Sequence, residues 1–252
     1  MSILVMKFGG TSVANLSRIK NLQQLVKNKV LSGHKKIIVV VSAMSGVTNN
    51  LVKQYKKIDS DINKPEYDVI LSTGEQYSSA LISTFLNKNG VKSRSILGWQ
   101  IPIITDNKFS EARIERIDTE KILKLFKKFN VLVVAGFQGI CSEGRITTLG
   151  RGGSDTSAVA MAVALKSKIC EIYTDVEGIF SSDPKVVKEA KKIKNITYEE
   201  ILEMASLGSK VLHPRSVELA MKYDIKIHVR SSFNRKLGSM VVKEENKLEK
   251  EV

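Results

Sequence analysis

The stretch Thr147-Thr148-Leu149-Gly150-Arg151-Gly152-Gly153-Ser154-Asp155-Thr156-Ser157 carries the residue types in this chain that most directly suggest chemistry. Its three glycines can take φ > 0 and let a ligand approach the backbone, and Ser154 is a good N-cap for a helix opening at Asp155. Unpaired N–H groups at that helix end, together with Arg151, make a seat for an anion. Asp155 does not suit plain anion binding, because a carboxylate repels a phosphate unless cations lie between them. The motif therefore calls for lysines or Mg2+ arriving from elsewhere. The glycines alone also fit an ordinary capped helix after a turn, so the reading depends on whether other segments supply that charge.

Two lysines are candidates. Ile3 to Lys7 reads as a buried strand emptying into Phe8-Gly9-Gly10-Thr11-Ser12, and Leu16, Ile19, Leu22, Leu25, Val26 and Val30 then follow at helical spacing until Gly33. A lysine at the carboxyl end of such a strand, beside bare glycine N–H groups, can hold a polyphosphate. The segment is neither GxxxxGK[ST] nor GxGxxG. Lys210, in the turn before a helix opening at Pro214, is the second candidate cation.

The elements that must position these groups repeat one pattern. Lys36 to Val41 is a second buried run, Ile37-Ile38-Val39-Val40-Val41, followed by Ser42-Ala43-Met44-Ser45-Gly46-Val47-Thr48, with a helix from about Thr48. Val69 to Glu75 reads as a third strand-end turn, placing Glu75 near a helix start. There it either balances the helix dipole or holds the ammonium group of an amino-acid substrate. Val131 to Ala135 leads into a fourth turn, Gly136-Phe137-Gln138-Gly139, and Ile140 to Leu149 forms a hairpin turning at Glu143-Gly144. Ile169 to Tyr173 precedes an acidic loop, Thr174 to Lys185, whose residues face a ribose, a metal-bound phosphate or only solvent.

Between these units, Val91 to Ile104 is β-rich, Phe109 to Arg116 suits an edge arm, Asp118 caps a helix and Tyr198 to Ala205 is helical. Ile225 to Val229 closes the sheet, Met240 to Val242 adds an edge strand, and Lys243 to Val252 is a charged tail. Alternating strands and helices predict an α/β fold: a three-layer αβα sandwich with a mainly parallel central sheet and the turns gathered at one edge.

Composition narrows the function classes. The chain has 252 residues, 42% hydrophobic and 26% charged, enough for one large domain or two joined lobes. No apolar run is long enough to cross a bilayer, and no charged n-region precedes the first strand, so a cytoplasmic protein without membrane partners is expected. Cys141 and Cys170 suit reduced thiols, and His34, His213 and His228 lack ligand spacing, so no transition metal is assigned. The net charge of +14 raises nucleic-acid binding. The lysines are spread over amphipathic segments and not interleaved with aromatics, so nucleic acid is not expected as a partner.

Glycine turns, two distant lysines, Arg151 and Asp155 make a coherent phosphoryl-transfer set. No general base is evident, which tilts the acceptor toward a carboxylate, already ionised at neutral pH, over an alcohol. At this point the resemblance to a known family is close. Val5-Met6-Lys7-Phe8-Gly9-Gly10-Thr11-Ser12-Val13 resembles the signature of aspartokinases, members of the amino acid kinase superfamily. Val41-Ser42-Ala43-Met44, Ser72-Thr73-Gly74-Glu75, Gly136-Phe137-Gln138-Gly139, Gly150-Arg151-Gly152-Gly153-Ser154-Asp155, Tyr173-Thr174-Asp175-Val176-Glu177-Gly178-Ile179 and Lys210-Val211-Leu212-His213-Pro214 resemble later blocks in the same order.

The resemblance implies the amino acid kinase fold over residues 1–242, with a substrate lobe to about 165, a nucleotide lobe beyond it and a tail at 243–252. It implies phosphorylation of the β-carboxylate of L-aspartate by ATP and Mg2+, the ion held mainly through the ATP phosphates, at the head of lysine, threonine and methionine synthesis. Lys7, Gly9, Gly10 and Lys210 would contact ATP, with Thr174, Asp175, Phe180, Ser181, Ser182, Asp183, Pro184 and Lys185 on the nucleotide side. Ser42, Thr48, Glu75, Arg151, Gly152, Gly153 and Ser154 would hold aspartate, with Arg151 on the α-carboxylate and Glu75 near the amine. Lys7, Asp155 and Lys210 form the catalytic set, Asp155 organising the lysines. Glu177 stands where the family often has aspartate, and Lys185 where it often has arginine. Aspartokinases usually continue into paired ACT domains, which bind inhibitors and aid dimerisation. This chain reads as an isolated catalytic piece, a form without feedback control, or a subunit meeting an ACT-type regulatory partner; a homodimer is a further partner expectation. Free lysine or threonine is expected not to inhibit it alone. The neighbouring alternatives are an acetylglutamate or glutamate kinase, or a nucleotide-binding module without turnover.

Overall fold

The computed structural model describes residues 3–184, 186–208 and 211–244. The first strand, β1 (Leu4–Phe8), runs into a 3-10 turn at Gly10–Val13 and then α1 (Leu16–Leu31), whose N-cap Asn15 accepts from the Arg18 N–H. β2 (Ile37–Val41) is buried at every position and leads to α2 (Val47–Lys56), opened by Gly46 at φ 84. The longest helix, α3 (Pro65–Lys88), follows. β3 (Ser93–Ile96), β4 (Ile103–Thr105), β5 (Ile114–Ile117) and α4 (Thr119–Leu125) precede the buried β6 (Val131–Ala135). The hairpin β7 (Gln138–Ile140) and β8 (Ile146–Thr148) delivers the chain to α5 (Gly153–Ala164) and β9 (Ile169–Thr174). The remainder is the β10 (Ile179–Phe180) and β11 (Lys192–Ile193) pair, β12 (Asn195–Thr197), α6 (Tyr198–Ser206), α7 (Pro214–Tyr223), β13 (Lys226–Ser231) and β14 (Ser239–Val242).

Eight strands form the central sheet in the order β12-β14-β13-β9-β1-β2-β6-β3. All its neighbours pair in parallel except β13 and β14. Because strand side chains alternate between faces, Val5, Ile38, Val40, Leu132 and Val134 pack with α5 and α7 residues such as Val159, Met161 and Val217. Leu4, Met6, Phe8, Ile37, Val39 and Val41 face the other way, onto Ile19, Leu22 and Val26 of α1 and Ile82 and Leu86 of α3. The result is the expected three-layer αβα sandwich. A second sheet, β5-β4-β7-β8, supports the chain just before α5.

Three expectations need correction. β13 does not close the sheet and β14 is not its edge: β12 lies outside both, and the outermost strands are β12 and β3. Asn195–Thr197 has one apolar residue in three, too weak a pattern to read as a strand. Val69 to Glu75 is not a strand and turn but the middle of α3. Pro65 in its first turn, with Glu66 and Asp68, starts that helix well upstream. The Ser72 and Thr73 hydroxyls bond back to the carbonyls of Val69 and Ile70, so residues that resemble a turn are satisfied within the helix. Ser154 is not an N-cap. Gly152, at φ 71, takes that position and the helix begins at Gly153, which puts Ser154 in its first turn.

Candidate active site

The carboxyl ends of β1 and β2, the amino end of α5 and the middle of α3 meet around a cleft of about 340 Å3. Lys7, Gly10, Ser42, Thr48, Glu75, Arg151, Gly152, Gly153, Ser154 and Asp155, all proposed from sequence, share its wall. Lys7 reaches across the sheet end to Asp155, with Nζ 2.5 Å from Oδ1, and both side chains are about nine-tenths buried. The pairing sought at the outset therefore exists: an aspartate at a helix start with a lysine from a distant strand against it. An ion pair this shielded from water interacts more strongly than a surface pair.

Close backbone approaches explain two of the glycines. A Cβ on Gly152 would lie 2.1 Å from Cγ of His213, and one on Gly10 would lie 3.0 Å from the Ala43 carbonyl oxygen. His213 itself is packed on the glycine loop, and burial lowers its pKa below the ordinary histidine value. Arg215 ties the same loop down, donating to the Leu149 carbonyl at 2.7 Å and the Ala112 carbonyl at 3.0 Å. Gly9 differs from expectation. Its N–H is not bare but donates to the Tyr173 carbonyl at 3.2 Å, joining the first turn to the end of β9.

Glu75 is 4% exposed. Its Oε1 accepts from the Ala43 N–H at 2.9 Å, while Oε2 is buried without a partner among the described residues. Burial pushes the carboxyl up to about 7, against the opposing pull of the Ala43 N–H. A carboxylate in this state, lining a cleft, is suited to a cationic ligand group. Arg151 is exposed at the cleft mouth and makes no hydrogen bond or ion pair among the described residues. Phe137 also lines the cleft, at φ 70, with its N–H held by the Ser157 hydroxyl. Sequence reasoning missed it, although its place between Gly136 and Gly139 marked a tight backbone.

The residues assigned to the nucleotide side lie apart from this wall. Thr174 ends β9 and Asp175 follows it, with the Thr174 hydroxyl donating to Asp175 at 3.1 Å. Phe180 belongs to β10, Ser181 pairs with Lys191, and Ser181, Ser182, Asp183 and Pro184 are exposed. Lys185 and Lys210 lie outside the described residues. A second charge cluster, absent from the sequence reading, gathers around the buried Glu171 of β9. Glu171 meets Lys29 at 2.7 Å and Arg230 at 3.2 Å, and accepts from the Tyr173 hydroxyl. Burial alone would raise the Glu171 pKa, but its cationic and hydroxyl partners outweigh that and hold it below the ordinary value. Tyr173 in turn stacks on Phe8 at 4.6 Å, next to the Gly9 turn.

The fold is an αβα sandwich with a charged cleft at the carboxyl ends of its central strands. The Amino acid kinase family matches residues 2–231, and the chain belongs to that family. It is 49% identical to the aspartokinase of Geobacillus stearothermophilus over 244 residues, 97% of this chain and 60% of that protein. Among solved structures, the aspartate kinase from Synechocystis is 48% identical with a TM-score of 0.84, over 96% of this chain and 40% of that one. E. coli aspartokinase III, in complex with aspartate and ADP in its R-state, is 31% identical with a TM-score of 0.84, over 96% of this chain and 64% of its own. The chain thus spans about three fifths of the length of the curated relatives it matches.

Proposed function

We propose that this chain transfers the γ-phosphoryl group of ATP to the β-carboxylate of L-aspartate, forming 4-phospho-L-aspartate. The observation that carries the reading is the unpartnered Glu75 Oε2 in the same cleft as Arg151 and the Lys7–Asp155 pair. Arg151 binds the α-carboxylate, ideally as a bidentate partner, and Glu75 holds the ammonium group. With both ends fixed, the side-chain carboxylate is left to face Lys7. It is ionised at neutral pH, so no base is required: one of its oxygens forms the new bond to phosphorus as the bond to the ADP oxygen breaks, and ADP leaves with that electron pair. Lys7 neutralises the charge spread over the transferred group, and Asp155 holds the Lys7 ammonium in place.

Ser42, Thr48, Gly152, Gly153 and Ser154 complete the amino-acid side, and Gly9, Gly10, Thr174, Asp175, Phe180 and Ser181 to Lys185 form the nucleotide side, with Lys210 as a further cation. Magnesium, when bound, neutralises the ATP phosphates. Among the described residues no group of three His, Cys, Asp or Glu side chains gathers to hold a metal. Asp175 and Asp183 are the acidic side chains assigned to that side, and carboxylate oxygens suit a magnesium ion that keeps phosphate and water ligands. Glu75 argues against an N-acylated substrate, whose nitrogen carries no charge to meet a buried carboxylate.

Trapping the acyl phosphate with hydroxylamine tests the reading. Hydroxamate should form with ATP and aspartate and fall away with acetylglutamate or glutamate. ATP binding with no hydroxamate from any of the three would instead support a nucleotide-binding module.

A further inference from the structure

Asp68 is completely buried, and no ion pair reaches it among the described residues. Burial pushes its carboxyl above the ordinary aspartate range despite the donors it accepts from. Those donors are the Ser110 N–H at 2.9 Å, the Thr148 N–H at 2.6 Å and the Thr148 hydroxyl at 2.7 Å. A buried carboxylate without a cation is costly, so its retention points to what it holds. Thr148 lies three residues before Arg151. Ser110, held at φ 66, directs its carbonyl oxygen to within 2.9 Å of where a Cβ of Gly150 would stand.

The same helix face carries the next contacts. The Ser72 carbonyl accepts from Nε2 of Gln138 at 3.1 Å, and Glu75 accepts from Ala43. Positions 68, 72 and 75 are spaced four and three residues apart, so they lie on one face and span about 10 Å along the axis. The first turn of one rigid helix therefore holds Ser110 and Thr148, beside the Arg151 loop, and the middle of the same helix presents Glu75.

We propose that Asp68 is a positioning residue that clamps the Arg151 loop to α3, so that the helix fixes the separation between Arg151 and Glu75 and with it the length of amino acid the cleft accepts. This rests on the substrate assignment given above for Arg151 and Glu75. In Asp68→Asn one acceptor oxygen becomes an NH2 group facing N–H donors.

The test joins amide hydrogen exchange with steady-state kinetics on the whole chain. In Asp68→Asn, exchange at Ser110 and at Thr148 to Gly153 should quicken about tenfold or more, with Gly9 to Val13 unchanged, because the weakened hydrogen bonds, from the Ser110 and Thr148 amides to the carboxylate, anchor only the former. The KM for aspartate should rise about tenfold while that for ATP stays within about twofold, and the preference for aspartate over glutamate should narrow. Unchanged exchange in the loop, or equal changes in both KM values, would overturn the proposal. Should Asp68→Asn not fold, Thr148→Val removes the hydroxyl donor alone and should give the same pattern at about a threefold level; its absence overturns the proposal equally. If the unmodified chain makes no hydroxamate, the reaction assigned above fails, and the exchange measurement, which needs no substrate, decides the clamp by itself.

Discussion

The two sides of Lys7 are built to different standards. Toward the proposed amino-acid side the wall comes from the interior of the fold: α3, the amino end of α5 and the sheet ends, with Glu75, Ser154 and Asp155 buried, Arg215 holding Leu149 and Asp68 holding Thr148 at the start of the glycine loop. Toward the proposed nucleotide side, Ser181 to Pro184 are exposed and follow a two-residue strand, and Asp175 is exposed as well. A small substrate offers only a few charges, so groups fixed in advance must supply its recognition. A nucleotide brings its own phosphates and a large surface, and a segment with few buried contacts can open to release it. On the proposed assignment, the groups that recognise the amino acid sit where packing is tightest.

Lys7 belongs to both sides, and its loss should have the largest effect. Lys7→Ala should lower hydroxamate formation about a thousandfold, since it removes the cation on the transferred group and leaves Asp155 buried and uncompensated. A drop under tenfold would show that the boundary between the two sides lies elsewhere. Arg151→Ala should come next, with kcat/KM for aspartate falling about a hundredfold and KM for ATP changing less than about threefold. Asp175→Asn should do the reverse, raising only the KM for ATP by about fivefold. If the two variants shift both constants alike, the comparison is broken.

How much of this could be read beforehand depended on where the physical cause lay. Ile37 to Val41 and Val131 to Ala135 are apolar throughout because both faces of the sheet are covered, so their bounds emerge from the pattern alone. The Lys7 to Asp155 contact followed from charge logic, because a lone carboxylate in an anion seat demanded a cation. α3 was misread because its local chemistry resembles a turn, and only the approach of Ala43 explains a glycine inside that helix. Glu171 was invisible for a related reason. Its partners Lys29 and Arg230 lie 142 and 59 residues away, and nothing in a surface-like lysine or arginine announces a buried contact.

Glu75 sharpens the comparison through pH. With its carboxyl pushed up to about 7, the empty site holds it neutral below that pH and charged above it. Only the charged form attracts an ammonium group, so the KM for aspartate should fall as pH rises from about 6 to about 8, while the KM for ATP should not follow it. Glu75→Gln should flatten that profile. Stability runs the opposite way. The folded-state pKa is raised above the unfolded value, so the unfolded chain loses its proton first and stability declines between about 4.5 and about 7. Glu75→Gln should therefore be about 1–3 kcal/mol more stable than the unmodified chain at pH 8 and no different at pH 4, by denaturant titration. Equal stability at both would mean that the carboxylate is better solvated than its burial implies.

The smallest effect should come from Gly74, where the tight packing of the amino-acid side can be probed without touching a charged group. Alanine gains about 1 kcal/mol of helix propensity over glycine in a helix interior. Here its Cβ would sit 2.7 Å from Cβ of Ala43 and 3.3 Å from Cγ1 of Val47, and the first of these belongs to a short side chain that can move only with its backbone. Overpacking of this kind typically costs about 1–3 kcal/mol, so Gly74→Ala should be destabilised by about 1 kcal/mol net. The displaced residue is also the one whose N–H holds Oε1 of Glu75. The strain should therefore reach the substrate side, raising the KM for aspartate about threefold with the KM for ATP unmoved. A variant that gains stability and keeps both constants would show that the Ala43 turn yields freely, and that the amino-acid side is no more rigid than the loop on the far side of Lys7.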